Sequence, residues 1–113
     1  MGEFTFNTLL LHPNIENDSG ATTTPIYQSS AFKHQSAESI ESLFNNKSMG
    51  YCYTRITNPT INAFEKRVTL LENGIAGIAA ASGMAAIFNT IVNVLTSGDE
   101  LVSSPTLYGG TID

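Results

Sequence analysis

The stretch from Ala79 to Tyr108 constrains this chain most. It reads Ala79-Ala80-Ala81-Ser82-Gly83-Met84-Ala85-Ala86-Ile87, then a helical run to Ser97. Gly98-Asp99-Glu100-Leu101-Val102-Ser103-Ser104 and Pro105-Thr106-Leu107-Tyr108-Gly109-Gly110-Thr111 follow. Ile75 to Ala81 is short, apolar and uncharged, as a strand covered on both faces would be. The side-chain oxygen of Ser82 can accept a free backbone N–H of a following helix. Gly83 permits a sharp turn and lets a ligand come close to the backbone. The free N–H groups and the positive end of the helix dipole then face one spot, which suits a phosphate. A strand, a small-residue turn and a helix form an ordinary α/β connection. Weight comes from Tyr53 and Arg55 upstream and Tyr108 downstream.

The segments around it set the fold class. Ile61, Phe64, Val68 and Leu71 recur at helical spacing over residues 60–73, with Thr57, Asn58 or Thr60 as cap and Pro59 near the start. Asn73-Gly74 ends this helix, with Gly as the left-handed cap. A strand over 75–81, a helix over 84–96 with Ile87, Ile91, Val94 and Leu95 inward, a stop at Gly98 and a strand over 100–104 come next. Helix and strand alternating through short links is the pattern of a parallel α/β sheet, with both helices burying apolar stripes on it.

The first half reads differently. Residues 5–12 suit a short helix or an arm packing by its leucines, with His12 packing or capping locally. Pro13 to Thr24 is polar loop, and Pro25 to Phe32 is extended. Ser36 to Phe44 suits a helix capped by Ser36, with Glu38 in its first turn and Ile40, Leu43 and Phe44 on one face. Residues 45–60 are loop. So long an irregular segment is usually functional or laid on another surface. Its aromatics (Tyr27, Phe32, Phe44, Tyr51, Tyr53) argue for packing on a neighbouring subunit. The expected division is an arm over 1–59 and an α/β domain beginning at 60–113.

Net charge is −5, with five Lys and Arg, which argues against nucleic acid as a partner. No apolar run reaches the ~20 residues that spanning a membrane needs. Met1-Gly2-Glu3-Phe4 has no signal-peptide character, and Gly2-Glu3-Phe4 has the look of a cloning scar. One Cys and two His make a structural zinc site improbable and fit a cytoplasmic protein. Gly109-Gly110-Thr111-Ile112-Asp113 reads as the middle of a βα repeat, so a piece of a longer polypeptide is expected.

Arg55 offers a planar fork for phosphate, and Tyr53 a hydroxyl donor. In an extended chain, positions two apart point the same way, so both could converge on one anion. Tyr108 lies beyond the carboxyl end of a strand, where ligands bind open α/β sheets, and its ring can stack on a flat one. A phosphate cradle, a phosphate-binding arm and a stacking ring together suggest a planar phosphorylated cofactor.

Tyr53-Thr54-Arg55-Ile56-Thr57-Asn58-Pro59-Thr60, Ala81-Ser82-Gly83-Met84-Ala85-Ala86, Gly98-Asp99-Glu100 and Leu107-Tyr108-Gly109-Gly110-Thr111 together resemble the N-terminal part of the cystathionine γ-synthase family. These are the Cys/Met-metabolism enzymes that use pyridoxal 5'-phosphate (PLP). Thr23-Thr24-Pro25-Ile26-Tyr27-Gln28-Ser29-Ser30 also matches, so the resemblance covers nearly everything after about Thr8. It implies the start of an aspartate-aminotransferase-like (fold type I) large domain after an extended arm. Ser82, Gly83 and Met84 would hold the PLP phosphate. Tyr108 would stack on the pyridine ring and assist proton movements. Tyr53 and Arg55 would bind the phosphate of the neighbouring subunit's PLP, in a homodimer or homotetramer. Tyr108 and Tyr53 are the candidate catalytic side chains; the substrate is a small amino acid.

The family's Schiff-base Lys, its pyridinium-pairing Asp and its carboxylate-binding Arg lie far downstream. Lys33, Lys47 and Lys66 match no Schiff-base motif, so these residues are expected not to catalyse alone. Phe64-Glu65-Lys66-Arg67 and Leu107-Tyr108-Gly109-Gly110-Thr111 resemble the O-acetylhomoserine sulfhydrylase branch, ahead of cystathionine γ-synthase and methionine γ-lyase. Two readings of other classes compete. One is a short non-catalytic interaction module, which would have no use for Arg55 or Ser82-Gly83. The other is an unrelated nucleotide-binding domain, opposed by the lack of Gly-x-Gly-x-x-Gly and Gly-Lys-Ser/Thr.

Overall fold

The computed structural model describes residues 5–11 and 20–112. The readings of the first four residues, of His12 and of most of the polar loop that follows lie outside them. The chain divides into two units, Met1–Ile78 and Ala79–Asp113.

The first unit is built on helices joined by polar ties. Helix α1 (Phe6–Leu11) packs on α3 (Pro59–Leu71), and α2 (Ala37–Phe44) lies between them in the chain. Ser36 caps α2 as expected: its Oγ accepts from Ser39 N at 3.3 Å, and Ser39 Oγ in turn accepts from Ser36 N at 3.4 Å. The Glu38 carboxyl is held below its ordinary value, first by a backbone hydrogen bond and then by one from the Ser36 hydroxyl. Of the three apolar residues expected on one face, Ile40 and Leu43 are half-buried, while Phe44 is exposed.

Asn58 caps α3, its Oδ1 accepting from Thr60 N at 2.8 Å, and Pro59 takes the first helical position. The C-terminus departs from expectation. Asn73, at φ 51°, takes the left-handed conformation assigned above to Gly74. Gly74 N then donates to Thr69 O at 2.8 Å and Asn73 N to Leu70 O at 3.4 Å. Helix α2 closes the same way: Asn46 has φ 55°, Lys47 N donates to Ser42 O at 2.8 Å and Asn46 N to Leu43 O at 3.0 Å. Both ends are Schellman motifs in which asparagine replaces the usual glycine. Gly77 is needed for a different reason: a Cβ there would sit 2.8 Å from Thr69 Oγ1.

Residues 30–32 and 52–54 pair with each other. Ala31 and Tyr53 form an antiparallel bridge, flanked by Phe32 N to Cys52 O at 3.0 Å and Thr54 N to Ser30 O at 2.9 Å. The Phe32 and Tyr51 rings lie 5.7 Å apart. Tyr51 is further held by His34 Nε2 at its carbonyl, 3.1 Å, and by Asn62 Nδ2 at its hydroxyl, 2.8 Å.

The second unit carries α4 (Gly83–Val94) and α5 (Gly109–Ile112). Helix α4 ends at Leu95 in extended conformation, and the chain then turns through Gly98 at φ 105°, the expected stop. Asp99 fastens this turn: Thr96 N and Thr96 Oγ1 donate to its Oδ2 at 2.7 and 3.0 Å. These donors hold the Asp99 carboxyl below its ordinary value, the backbone N–H first and the hydroxyl second. A carboxyl so lowered adds stability above its unfolded pKa and loses it as pH falls through the folded one. The wild type should therefore melt above an Asp99→Asn variant at pH 7, and the gap should close below about pH 4. Paired thermal melts check this; a gap that widens in acid would contradict it.

The expected strands over 75–81 and 100–104 do not form ladders among the described residues. Their apolar side chains stand open: Ile75 and Val102 are 104% and 95% exposed. The expected apolar stripes are only partly covered: Phe64 on α3 and Val94 on α4 are exposed, Leu71, Ile91 and Leu95 half-buried, and Ala63 and Asn58 are the buried residues among those described. Period and composition mark a segment that suits a strand. A ladder also needs neighbours to take its N–H and C=O groups, and a stripe needs a sheet to lie on.

Candidate functional site

In the second unit, Ser82 stands at φ −154°, ψ 160°, and its Oγ accepts from Ala85 N at 3.1 Å. Ser82 O takes the N–H of Ala86 at 3.1 Å. The cap therefore uses the third helical N–H, leaving those of Gly83 and Met84 directed out of the helix end. A Cβ on Gly83 would meet nothing within 4 Å, and its φ lies outside the left-handed region. Gly83 is thus not demanded by a strained turn, which corrects half of the sequence reading. The other half, open room beside the backbone, holds.

The turn leading into α5 closes on this helix end. Thr111 Oγ1 donates to Met84 Sδ at 3.5 Å, and Thr111 N donates to Tyr108 O at 2.8 Å. One residue therefore binds both the Tyr108 turn and the first turn of α4. A Cβ on Gly110 would lie 3.0 Å from Tyr108 Cε1, so the ring rests against the bare Gly110 backbone. The rest of the Tyr108 side chain is open, at 75% exposure. Ser82, Gly83 and Met84 thus open α4, and Thr111 ties Met84 to the turn that carries Tyr108. Thr111, which makes this tie, stands in the Leu107–Thr111 motif without a role that the sequence assigns to it. Its place three residues after Tyr108, where its N–H can reach back, was the available signal.

In the first unit, Tyr53 and Arg55 meet by another route than the one expected. Residues 54–56 form a turn, not an extended run. Tyr53 O accepts from Ile56 N at 2.9 Å and Thr57 N at 3.0 Å. The alternation of a strand therefore does not set their directions. Instead the Arg55 guanidinium lies over the Tyr53 ring, 5.7 Å from its centroid. Both side chains are exposed, so the fork of Arg55 is open to an anion.

Asn58, one of three cap candidates in the sequence, does more than cap. It is 3% exposed and ties Tyr27 and Thr54 to the start of α3. Its Nδ2 donates to Tyr27 O at 3.1 Å and Thr54 Oγ1 at 3.0 Å, while Oδ1 takes Thr60 N. Thr60 Oγ1 adds two ties, accepting from Tyr27 N at 2.8 Å and donating to Pro25 O at 3.3 Å. Among the described residues, no group of three or more His, Cys, Asp or Glu could hold a metal ion, and no helix is long and apolar enough to cross a membrane.

A capped helix end with open N–H groups beside an exposed aromatic fits a phosphorylated ring, and the overall course of the chain agrees. The crystal structure of an O-acetylhomoserine (thiol)-lyase from Campylobacter jejuni, with N'-pyridoxyl-lysine-5'-monophosphate at its position 205, superposes at a TM-score of 0.88 and 36% identity. The match covers 97% of this chain and 28% of that one. The fold is the beginning of a type I PLP-dependent enzyme.

The particular family follows from sequence. The profile of the Cys/Met metabolism PLP-dependent enzymes matches residues 7–113, and the chain belongs to that family. The O-acetyl-L-homoserine sulfhydrylase of Corynebacterium glutamicum is 43% identical over 94% of this chain and 25% of its own length. That of Thermus thermophilus is 41% identical over 96% of this chain and 26% of its own. The L-methionine gamma-lyase of Fusobacterium nucleatum is 45% identical over 86% and 25%. The chain spans about a quarter of the length of these curated relatives.

Proposed function

We propose that these residues are the cofactor-facing front of a PLP-dependent enzyme that replaces the γ-acetoxy group of O-acetylhomoserine with sulfide, releasing acetate and homocysteine. The observation that carries this is the α4 end: Ser82 commits its oxygen to Ala85 N, Gly83 and Met84 keep their N–H groups open, and Thr111 ties Met84 to the Tyr108 turn. Gly83 N–H, Met84 N–H and Ser82 would hold the phosphate. Tyr108 would lie on the pyridine face and move a proton at its hydroxyl. PLP, when bound, supplies the electron sink for proton removal from the substrate carbons.

The Tyr53–Arg55 pair is exposed, which supports a role on the phosphate held by a neighbouring subunit, in a homodimer or homotetramer. The arm over 1–59 would serve that contact, and the domain beginning at residue 60 the cofactor. Soluble sulfur-amino-acid metabolism in the cytoplasm is the setting this implies. The chain spans about a quarter of its relatives' length, and Lys33, Lys47 and Lys66 match no Schiff-base motif, so the reaction is proposed for the full-length enzyme.

The test is borohydride reduction of the protein at its natural length, intact mass, and an assay with O-acetylhomoserine and sulfide. A pyridoxyl adduct and sulfide-dependent homocysteine are expected; finding no adduct and no homocysteine would overturn the proposal. The 45% identity to a methionine gamma-lyase favours one second reading. Thiol release from methionine without sulfide would select it.

Gly83→Ala separates fold from ligand. Helix propensity should raise apoprotein stability by about 0.5 kcal/mol, since an added Cβ meets nothing in the chain. PLP affinity should fall, because the methyl group occupies the room beside the N–H groups. Apoprotein melting and a PLP titration read the opposite signs; unchanged affinity would remove Gly83 from the phosphate site.

A further inference from the structure

We propose that Asn58 is the positioning residue of the phosphate-binding arm: its buried amide sets the turn that aims Arg55. This deepens the reading above and rests on it. Arg55 is exposed and long, and its guanidinium touches only the Tyr53 ring among its described contacts. Its direction is therefore set by the backbone of residues 54–57. That backbone is held at both ends. On one side Tyr53 O takes Ile56 N and Thr57 N. On the other, Thr54 N donates to Ser30 O at 2.9 Å and Thr54 Oγ1 donates to Ser29 O.

Asn58 joins these ties to the helix. Its Nδ2 reaches back four residues to Thr54 Oγ1 and across to Tyr27 O, while Oδ1 is fixed on Thr60 N. Both amide hydrogens and the amide oxygen are committed, at 3% exposure. Residue 54 is thus referenced to the first turn of α3 through one planar group with no freedom left. Aspartate at 58 would keep the acceptor for Thr60 N. It would set an oxygen against the Tyr27 carbonyl and withdraw the donor from Thr54 Oγ1. The cap survives and the aim of the turn is lost.

The experiment uses the apoprotein at its natural length and compares PLP with pyridoxal, which lacks the phosphate. Asn58→Asp should weaken PLP by about tenfold, as loss of a well-placed charge-assisted contact does, and leave pyridoxal affinity within about twofold. Thr54→Val should reproduce the effect by the other partner, and Thr54→Ser should restore it. Combined with Arg55→Ala, Asn58→Asp should add no further loss, because both act through one contact. Equal weakening of PLP and pyridoxal, or additivity with Arg55→Ala, would overturn the inference. If Asn58→Asp does not fold, the Thr54 pair decides alone. If the unaltered protein binds no PLP, the proposed function fails instead.

Discussion

Arg55→Ala is expected to weaken PLP binding by about a hundredfold, some 3 kcal/mol, the scale of a bidentate charge-assisted contact to a phosphate. The fold should hardly notice. Within its own chain the guanidinium rests on an exposed Tyr53 ring at 5.7 Å, a contact worth about 0.5–1 kcal/mol in such a setting. A large loss of affinity with a small change in melting temperature is the signature. Arg55→Lys should fall between, since it keeps the charge and loses the fork. Pyridoxal affinity should stay level across the series. A PLP titration that cannot tell Arg55→Ala from the wild type would remove Arg55 from the site.

Asn58→Ala is expected to act on the fold itself, lowering stability by about 3 kcal/mol. Losing the helix cap accounts for about 1 kcal/mol. Leaving Tyr27 O without its donor inside the structure costs about 1–3 kcal/mol more. Chemical denaturation reads the sum. A loss below about 1 kcal/mol would mean that the cap alone matters and that water replaces the two Nδ2 bonds. Alanine at 58 thus removes the cap and both Nδ2 bonds, whereas aspartate keeps the cap and removes only the Nδ2 bonds.

The two variants differ because one residue serves two levels of structure, and only one level is visible in a sequence. Asn before Pro-Thr announces a helix start. Nothing local announces that the same amide closes on Tyr27, 31 positions earlier. The Tyr53–Arg55 pair shows the same limit. Spacing suggested convergence through an extended chain; the fold achieves it with a turn and a stacked guanidinium.

By itself the sequence determined α2, α3 and α4, the N-caps at Ser36 and Ser82, a cap for α3 among Thr57, Asn58 and Thr60, the stop at Gly98 and the family. Each rests on residues within a turn or two of one another, or on motifs whose order needs no folding to be read. Tertiary structure decided the rest. It showed that Asn73, not Gly74, turns left-handed, because a Schellman bond pattern picks a position and not a residue type. It showed that Thr111 joins Met84 to the Tyr108 turn. It also left the apolar runs at 75–81 and 100–104 without ladders, because an apolar pattern states what a segment can bury, whereas pairing and burial depend on which neighbours stand beside it.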